Sequence, residues 1–157
     1  MRRVIVLGRG GAGKSVLARR IGELTGLPVT DLDQIFWSDG LRPTRRDRWE
    51  DVQRQLAGAT TWVLDGDLGR NDALQPRLAN ADTVVILDFG VLRCAWRARR
   101  RSPERRDFWW WLVTWRRRSK PQIPAAIARW APGADVHILR KPLDVDRFLA
   151  AFTTLPR

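Results

Sequence analysis

Three observations predict a three-layer α/β fold built on a parallel sheet. Short apolar runs alternate with helical periods along the whole chain, the pattern of repeated strand-helix units with right-handed crossovers. The runs Val4 to Leu7 and Thr83 to Leu87 show no polar alternation, as expected of strands covered by helices on both faces. The segment Gly8-Arg9-Gly10-Gly11-Ala12-Gly13-Lys14-Ser15 joins the first run to a helical pattern, and in such sheets ligands bind at the carboxyl ends of the strands.

The elements follow in order. A helix from about Lys14 to Leu24 carries apolar Val16, Leu17, Ala18, Ile21 and Leu24, and Gly26-Leu27-Pro28 stops it. Pro28 to Asp31 reads as a short strand. Thr44 is placed to cap a helix reaching about Gly58. Thr61 to Leu64 is a third strand ending at Asp65, Asn71 to Ala79 a short helix, and Thr83 to Leu87 a fourth strand ending at Asp88. Three helical stretches follow, about Val91 to Arg101, Asp107 to Arg118 and Gln122 to Trp130. Asp135 to Leu139 is the fifth strand, and Leu143 to Phe152 the last helix.

The loop from Gly8 to Ser15 fills every fixed place of G-x-x-x-x-G-K-[ST], a phosphate cradle. Its backbone N–H groups turn inward around an anion, and the positive end of the following helix points at the same place. The expected cofactor-binding set is Gly8, Gly10, Gly11, Ala12, Gly13, Lys14, Ser15 and Val16. Lys14 reaches the β- and γ-phosphates, and the Ser15 hydroxyl suits Mg²⁺.

At 157 residues with 44% hydrophobic content, the chain predicts one domain over residues 1–157. Met1-Arg2-Arg3 precedes an apolar run too short for a signal peptide, and no run approaches the ~20 residues of a membrane span. Cys94, the single cysteine, sits among Val91, Leu92 and Trp96 and is expected to be buried. A cytoplasmic location follows as the expectation. The net charge is +12, and Arg93 to Lys120 holds eleven basic residues against two acidic ones. Such a segment suits an arginine lid over transferring phosphate, or a nucleic-acid face.

Four carboxylates stand at strand ends. Asp31 and Asp33 are two apart where the second strand leaves the sheet, a spacing that projects both to one face of an extended chain. One can hold a Mg²⁺-bound water while the other orients or deprotonates an acceptor hydroxyl; helix capping by Asp is the competing reading. Asp65 and Asp88 compete for the metal-side position, and Gly66, which lets backbone pass close to substrate, favours Asp65. The expected metal set is therefore Ser15, Asp65 and Asp31, with Asp33 on the acceptor.

The loop near residue 8, Asp31-Leu32-Asp33-Gln34-Ile35-Phe36-Trp37, Trp62-Val63-Leu64-Asp65-Gly66-Asp67, and Leu87-Asp88-Phe89 followed by Arg93-Cys94-Ala95-Trp96-Arg97 together resemble the adenylate-kinase-related DNA topology modulation (FlaR-like) proteins. The resemblance implies the P-loop fold of nucleoside and nucleotide kinases, a five-stranded parallel sheet in order 2-3-1-4-5, a short helical lid, and ATP as the nucleotide. It implies no acceptor. Relatives carry a longer insertion before Pro-Glu-Arg, whereas here Arg99-Arg100-Arg101 runs straight into Ser102-Pro103-Glu104-Arg105, so the lid, at about 97–120, is trimmed. By position Arg97, Arg101 and Arg105 are its candidates for phosphate contact.

Phe108 to Trp115 is apolar on nearly every helical face and needs cover from the core, the lid or a second subunit. His137 is read as structural. Arg42, Arg45 and Arg46 stand where an anionic acceptor, or only solvent, meets a helix start. The functional expectation is an ATP- and Mg²⁺-dependent phosphotransferase acting on a small acceptor, a nucleotide or another hydroxyl compound. The alternative is a nucleotide-regulated nucleic-acid-binding ATPase; the kinase reading leaves only weak nucleic-acid binding to the basic segment. The Trp-rich helix can also serve a homodimer.

Overall fold

The computed structural model describes residues 1–37, 44–69, 72–101 and 106–153. Five strands form one parallel sheet: β1 (Arg3–Gly8), β2 (Val29–Asp31), β3 (Trp62–Asp65), β4 (Thr83–Leu87) and β5 (Asp135–Leu139), in the order β2-β3-β1-β4-β5. The helices are α1 (Lys14–Thr25), α2 (Leu32–Phe36), α3 (Arg46–Ala57), α4 (Leu74–Leu78), α5 (Val91–Arg101), α6 (Arg106–Arg118), α7 (Gln122–Trp130) and α8 (Pro142–Thr153).

The central strands divide their side chains between two cores. Val4 and Val6 of β1 join Val85 and Leu87 of β4 on one face, against Leu17, Ala18 and Ile21 of α1 and Phe148 and Leu149 of α8. Ile5 and Leu7 join Leu64, Val84 and Ile86 on the other, against Trp49, Leu78, Ile123 and Ile127. This two-residue alternation inside an unbroken apolar run is why β1, β3 and β4 carry no polar face. Helix α6 serves both sides, with Leu112 in the first core and Trp115 in the second. Cys94 is fully buried in the first, and the His137 ring packs on Phe148 at 4.9 Å between centroids.

Two local expectations change. The sequence reading leaves Leu32 to Phe36 without an element, yet α2 begins directly after β2, with Asp31 as its N-cap. Asp33 is therefore helical, and the strand-spacing argument for Asp31 and Asp33 does not hold. Asp31 Oδ1 accepts from the backbone N–H groups of Asp33 at 3.0 Å and Gln34 at 3.3 Å, and its Oδ2 accepts from Gln34 Nε2 at 3.2 Å. Thr44 does not cap α3, which begins after Arg45; its hydroxyl donates to the Phe36 carbonyl at 3.0 Å, tying α2 to the chain that enters α3. The short fourth helix covers only Leu74–Leu78, and Asn71 lies outside the described residues.

Among the described residues, no helix is long and apolar enough to cross a membrane.

Candidate active site

The strand order places β1 at the centre, so the loop leaving it is flanked by the carboxyl ends of β3 and β4. Gly8, Gly11 and Gly13 hold φ of +146°, +72° and +98°. Gly13 then caps α1 through its left-handed conformation alone, with no side-chain cap, which leaves the helix's first N–H groups to an anion. Ala12 is buried, Val16 is exposed, and Lys14 is only 8% exposed.

Helices α5 and α6 close on this loop. A Cβ on Gly13 would lie 3.1 Å from Arg97 Nη2, and one on Gly10 would fall 2.4 Å from the Phe108 ring. The loop glycines thus serve two purposes, turning the backbone and admitting α5 and α6. Arg97 stands beside the Gly8–Ser15 loop. Arg105 and Arg42 lie outside the described residues, as does the Arg101 side chain.

On the β3 side, Asp65 pairs in register with Val6 of β1 and Asp31 of β2. Its carboxylate is within hydrogen-bonding reach of the Ser15 hydroxyl, while its buried Oδ1 has no hydrogen-bond partner among the described residues. Burial pushes its pKa up, opposed by the Lys14 charge and the Ser15 hydrogen bond. A buried carboxylate with one uncommitted oxygen beside the loop's hydroxyl fits Mg²⁺, which takes one or two protein oxygens and completes its shell with water and phosphate. No cluster of three metal-ligating side chains occurs among the described residues.

The competing carboxylate, Asp88, is otherwise engaged. Arg116 Nε donates to its Oδ1 at 3.1 Å and Lys120 Nζ to its Oδ2 at 2.6 Å. Burial raises its pKa, but these hydrogen bonds and charges outweigh it and hold the group below the usual carboxylate range. Asp88 therefore anchors the end of α6 to the sheet.

Asp33 projects from α2 towards the same centre. Its carboxyl is pushed up to about 6, first by burial and then by Asp31, Asp65 and Asp72, with Lys14 pulling the other way. Lys14 thus lies among carboxylates that face the loop from β3 and α2. A carboxylate held near neutrality beside the loop lysine Lys14 has the properties of a general base.

The sequence reading missed the lattice behind these groups. Asp67 Oδ1 accepts from Gly69 N–H at 3.1 Å, and its Oδ2 from Trp115 Nε1 at 2.7 Å, so α6 is bonded to the loop after β3. Asp72 Oδ2 takes Arg77 Nη2 at 2.6 Å, both side chains being buried, and Gln53 Nε2 donates to Asp72 Oδ1 at 3.4 Å. The repeat Asp65-Gly66-Asp67 carries a signal for Asp67, but its partner lies 48 residues away on a helix whose tryptophans all look like packing.

No protein-family model matches the chain, and no curated protein matches it. Solved structures do. The chain is similar to an unliganded sugar kinase from a Janibacter species (18% identity, 99% of this chain and 96% of that one, TM-score 0.60). It is also similar to shikimate kinase from Acinetobacter baumannii in complex with shikimate (17% identity, 98% and 91%, TM-score 0.62). A gluconokinase from Sinorhizobium meliloti matches at 18% identity over 97% and 91% of the two chains, with a TM-score of 0.58. At these identities the likeness concerns the fold: the chain has the three-layer α/β fold of P-loop kinases, with its parallel sheet in the order 2-3-1-4-5.

Proposed function

We propose that this protein is an ATP- and Mg²⁺-dependent phosphotransferase that moves the γ-phosphoryl group to a hydroxyl of a small molecule. The observation that carries the reading is the convergence of Lys14, Ser15, Asp65 and Asp33 at the mouth of the β1 loop, with Asp33 pushed up to about 6. In this reading the loop amides and Lys14 hold the phosphates, and Ser15 and Asp65 hold the metal. Asp33 takes the proton of the acceptor hydroxyl, and Arg97, together with Arg101 and Arg105, offsets transferred charge. Bound Mg²⁺ would supply charge neutralisation at the phosphates. Asp31, committed to capping α2, has no part in it. The aromatic wall of Phe108 and Trp111 on the loop would keep water from competing with the acceptor. The structural neighbours that act on shikimate and gluconate make a small hydroxy compound the acceptor class to try first.

The deciding experiment is ATP turnover in the presence and absence of small hydroxy compounds, with Lys14→Ala as control. Acceptor-dependent ADP release that Lys14→Ala abolishes supports the reading; wild-type protein that binds no ATP ends it. One observation favours the nucleic-acid alternative. Trp96 and Trp110 are 60% and 49% exposed, with the Arg100 and Arg118 guanidinium groups stacked 4.7 and 4.5 Å from their ring centroids. Exposed stacked tryptophans among arginines can receive single-stranded bases. ATP turnover raised by single-stranded DNA rather than by a small acceptor would select that alternative.

A further inference from the structure

The loop carries one side chain that its phosphate motif does not call for. Arg9 occupies a variable place in the motif, yet it is fully buried, and its Nε, Nη1 and Nη2 have no hydrogen-bond partner among the described residues. Its guanidinium lies 5.4 Å from the Trp115 ring centroid, and that ring is held by its own bond to Asp67. Asp88 is the carboxylate whose charge acts on Arg9, but both its oxygens are taken by Arg116 and Lys120. The Arg116 charge also opposes Arg9. Next along the loop, α5 presents the Cys94 carbonyl to Gly11, and the charges of Arg9, Arg97, Lys14 and Arg93 all act on the Cys94 thiol.

Packing alone does not account for this residue. A methionine or leucine would fill the same space beside Trp115 without burying a charge, and a buried guanidinium without a bonded partner is strongly unfavourable. Concentrated positive charge around an anion cradle becomes favourable only when the anion arrives. The guanidinium fork matches a phosphate group, donating two parallel hydrogen bonds to its oxygens.

We propose that Arg9 is a phosphate-recognition residue, an arginine supplied from inside the loop that pairs with the terminal phosphate of the bound nucleotide. This rests on the nucleotide-site reading above. Because Arg9 belongs to the loop, rotation about its own side-chain bonds carries the charge from the Trp115 face towards the phosphates. In the unliganded protein the residue lowers stability; in the complex it contributes affinity for a triphosphate over a diphosphate.

The test uses the whole chain with Arg9→Met and Arg9→Lys. Thermal melting without ligand is compared with calorimetric binding of Mg²⁺ complexes of β,γ-imido-ATP and of ADP. Arg9→Met should melt at or above the wild-type temperature, while its triphosphate affinity falls by about tenfold or more and its ADP affinity by much less. Arg9→Lys, which keeps the charge but not the fork, should bind the triphosphate with intermediate affinity. Wild-type triphosphate affinity in Arg9→Met overturns the inference. So does a variant that melts lower and loses both nucleotides equally, since that marks a structural arginine. If wild type binds the analogue and Lys14→Ala does not, a normal Arg9→Met refutes the arginine's role alone; if wild type binds neither nucleotide, the nucleotide reading fails and takes this inference with it.

Discussion

Replacing Asp33 with asparagine should make the protein more stable and catalytically inert. The folded state pushes this carboxyl from 3.8 to about 6, chiefly by burial. At about 1.36 kcal/mol per unit, that is an upper bound of ~3 kcal/mol against the charged fold. Asp33 is partly open to solvent, so ~1–2 kcal/mol is the expected size. The sign follows from the protons. Below pH ~3, folded and unfolded chains both carry the proton, and the penalty is small. As pH rises towards 6 the unfolded chain releases its proton while the fold retains it, so stability falls; above 6 the full penalty remains. Asp33→Asn should therefore melt ~2–8 °C above wild type at pH 7.5, and the gain should vanish below pH ~3. Acceptor-dependent ADP release should fall by roughly 10²–10⁴-fold in the variant, with ATP binding retained. In wild type, kcat/KM should decline below pH ~6 as the base is protonated. Circular dichroism melts across this pH range, with a coupled ADP assay, read both effects. A variant that melts lower at pH 7.5, gains stability equally at pH 3, or keeps its turnover would refute the role assigned to Asp33.

Three further outcomes are expected. Asp65→Asn should weaken Mg²⁺-dependent ATP binding or turnover by more than about tenfold, or ~1.4 kcal/mol. Asp88→Asn should leave the Mg²⁺ dependence intact but cost ~1–3 kcal/mol of stability by releasing Arg116 and Lys120; metal titrations and urea melts of both variants decide, and the reverse ranking moves the metal to β4. Trp115→Phe keeps most of the packing but strips buried Asp67 of its 2.7 Å bond, a loss of ~1–3 kcal/mol that chemical denaturation measures and that a silent variant would disprove. Arg97→Ala should lower kcat far more than ATP affinity, since its strongest contact forms in the closed transition state; steady-state kinetics beside calorimetry would show an affinity loss of equal size if Arg97 only binds ground-state phosphate.

The chain's local signals located most elements because each was over-specified. Thr83–Leu87, Val91–Arg101, Gln122–Trp130 and Asp135–Leu139 fall where the sequence places them, each bounded by a polar, glycine or proline break. The failures came where short range was ambiguous. Five residues, Leu32–Phe36, are too few for a helical period to register, and Asp31 serves a strand end and a helix cap equally well until the backbone chooses. Thr44 looks like a cap by residue type, but its hydroxyl found a better acceptor at Phe36.

The candidate phosphate-binding loop is legible in the sequence because it is contiguous: eight adjacent residues, Gly8 to Ser15, supply the turns, the amides, the lysine and the hydroxyl. The sequence also determined the layered parallel sheet, through unbroken apolar runs that no single-faced strand would carry. The difference between Asp65 and Asp88 appears only in the folded chain. Both end apolar strands beside β1 and look alike in sequence, but Arg116 and Lys120 fold back onto Asp88 while Asp65 keeps an unbonded oxygen near Ser15. The bond from Trp115 to Asp67 and the burial of Arg9 beneath α6 were equally beyond the sequence. Charge and hydrogen-bonding capacity are written in each residue, but which partner consumes them depends on contacts made across the fold, and there packing makes the choice.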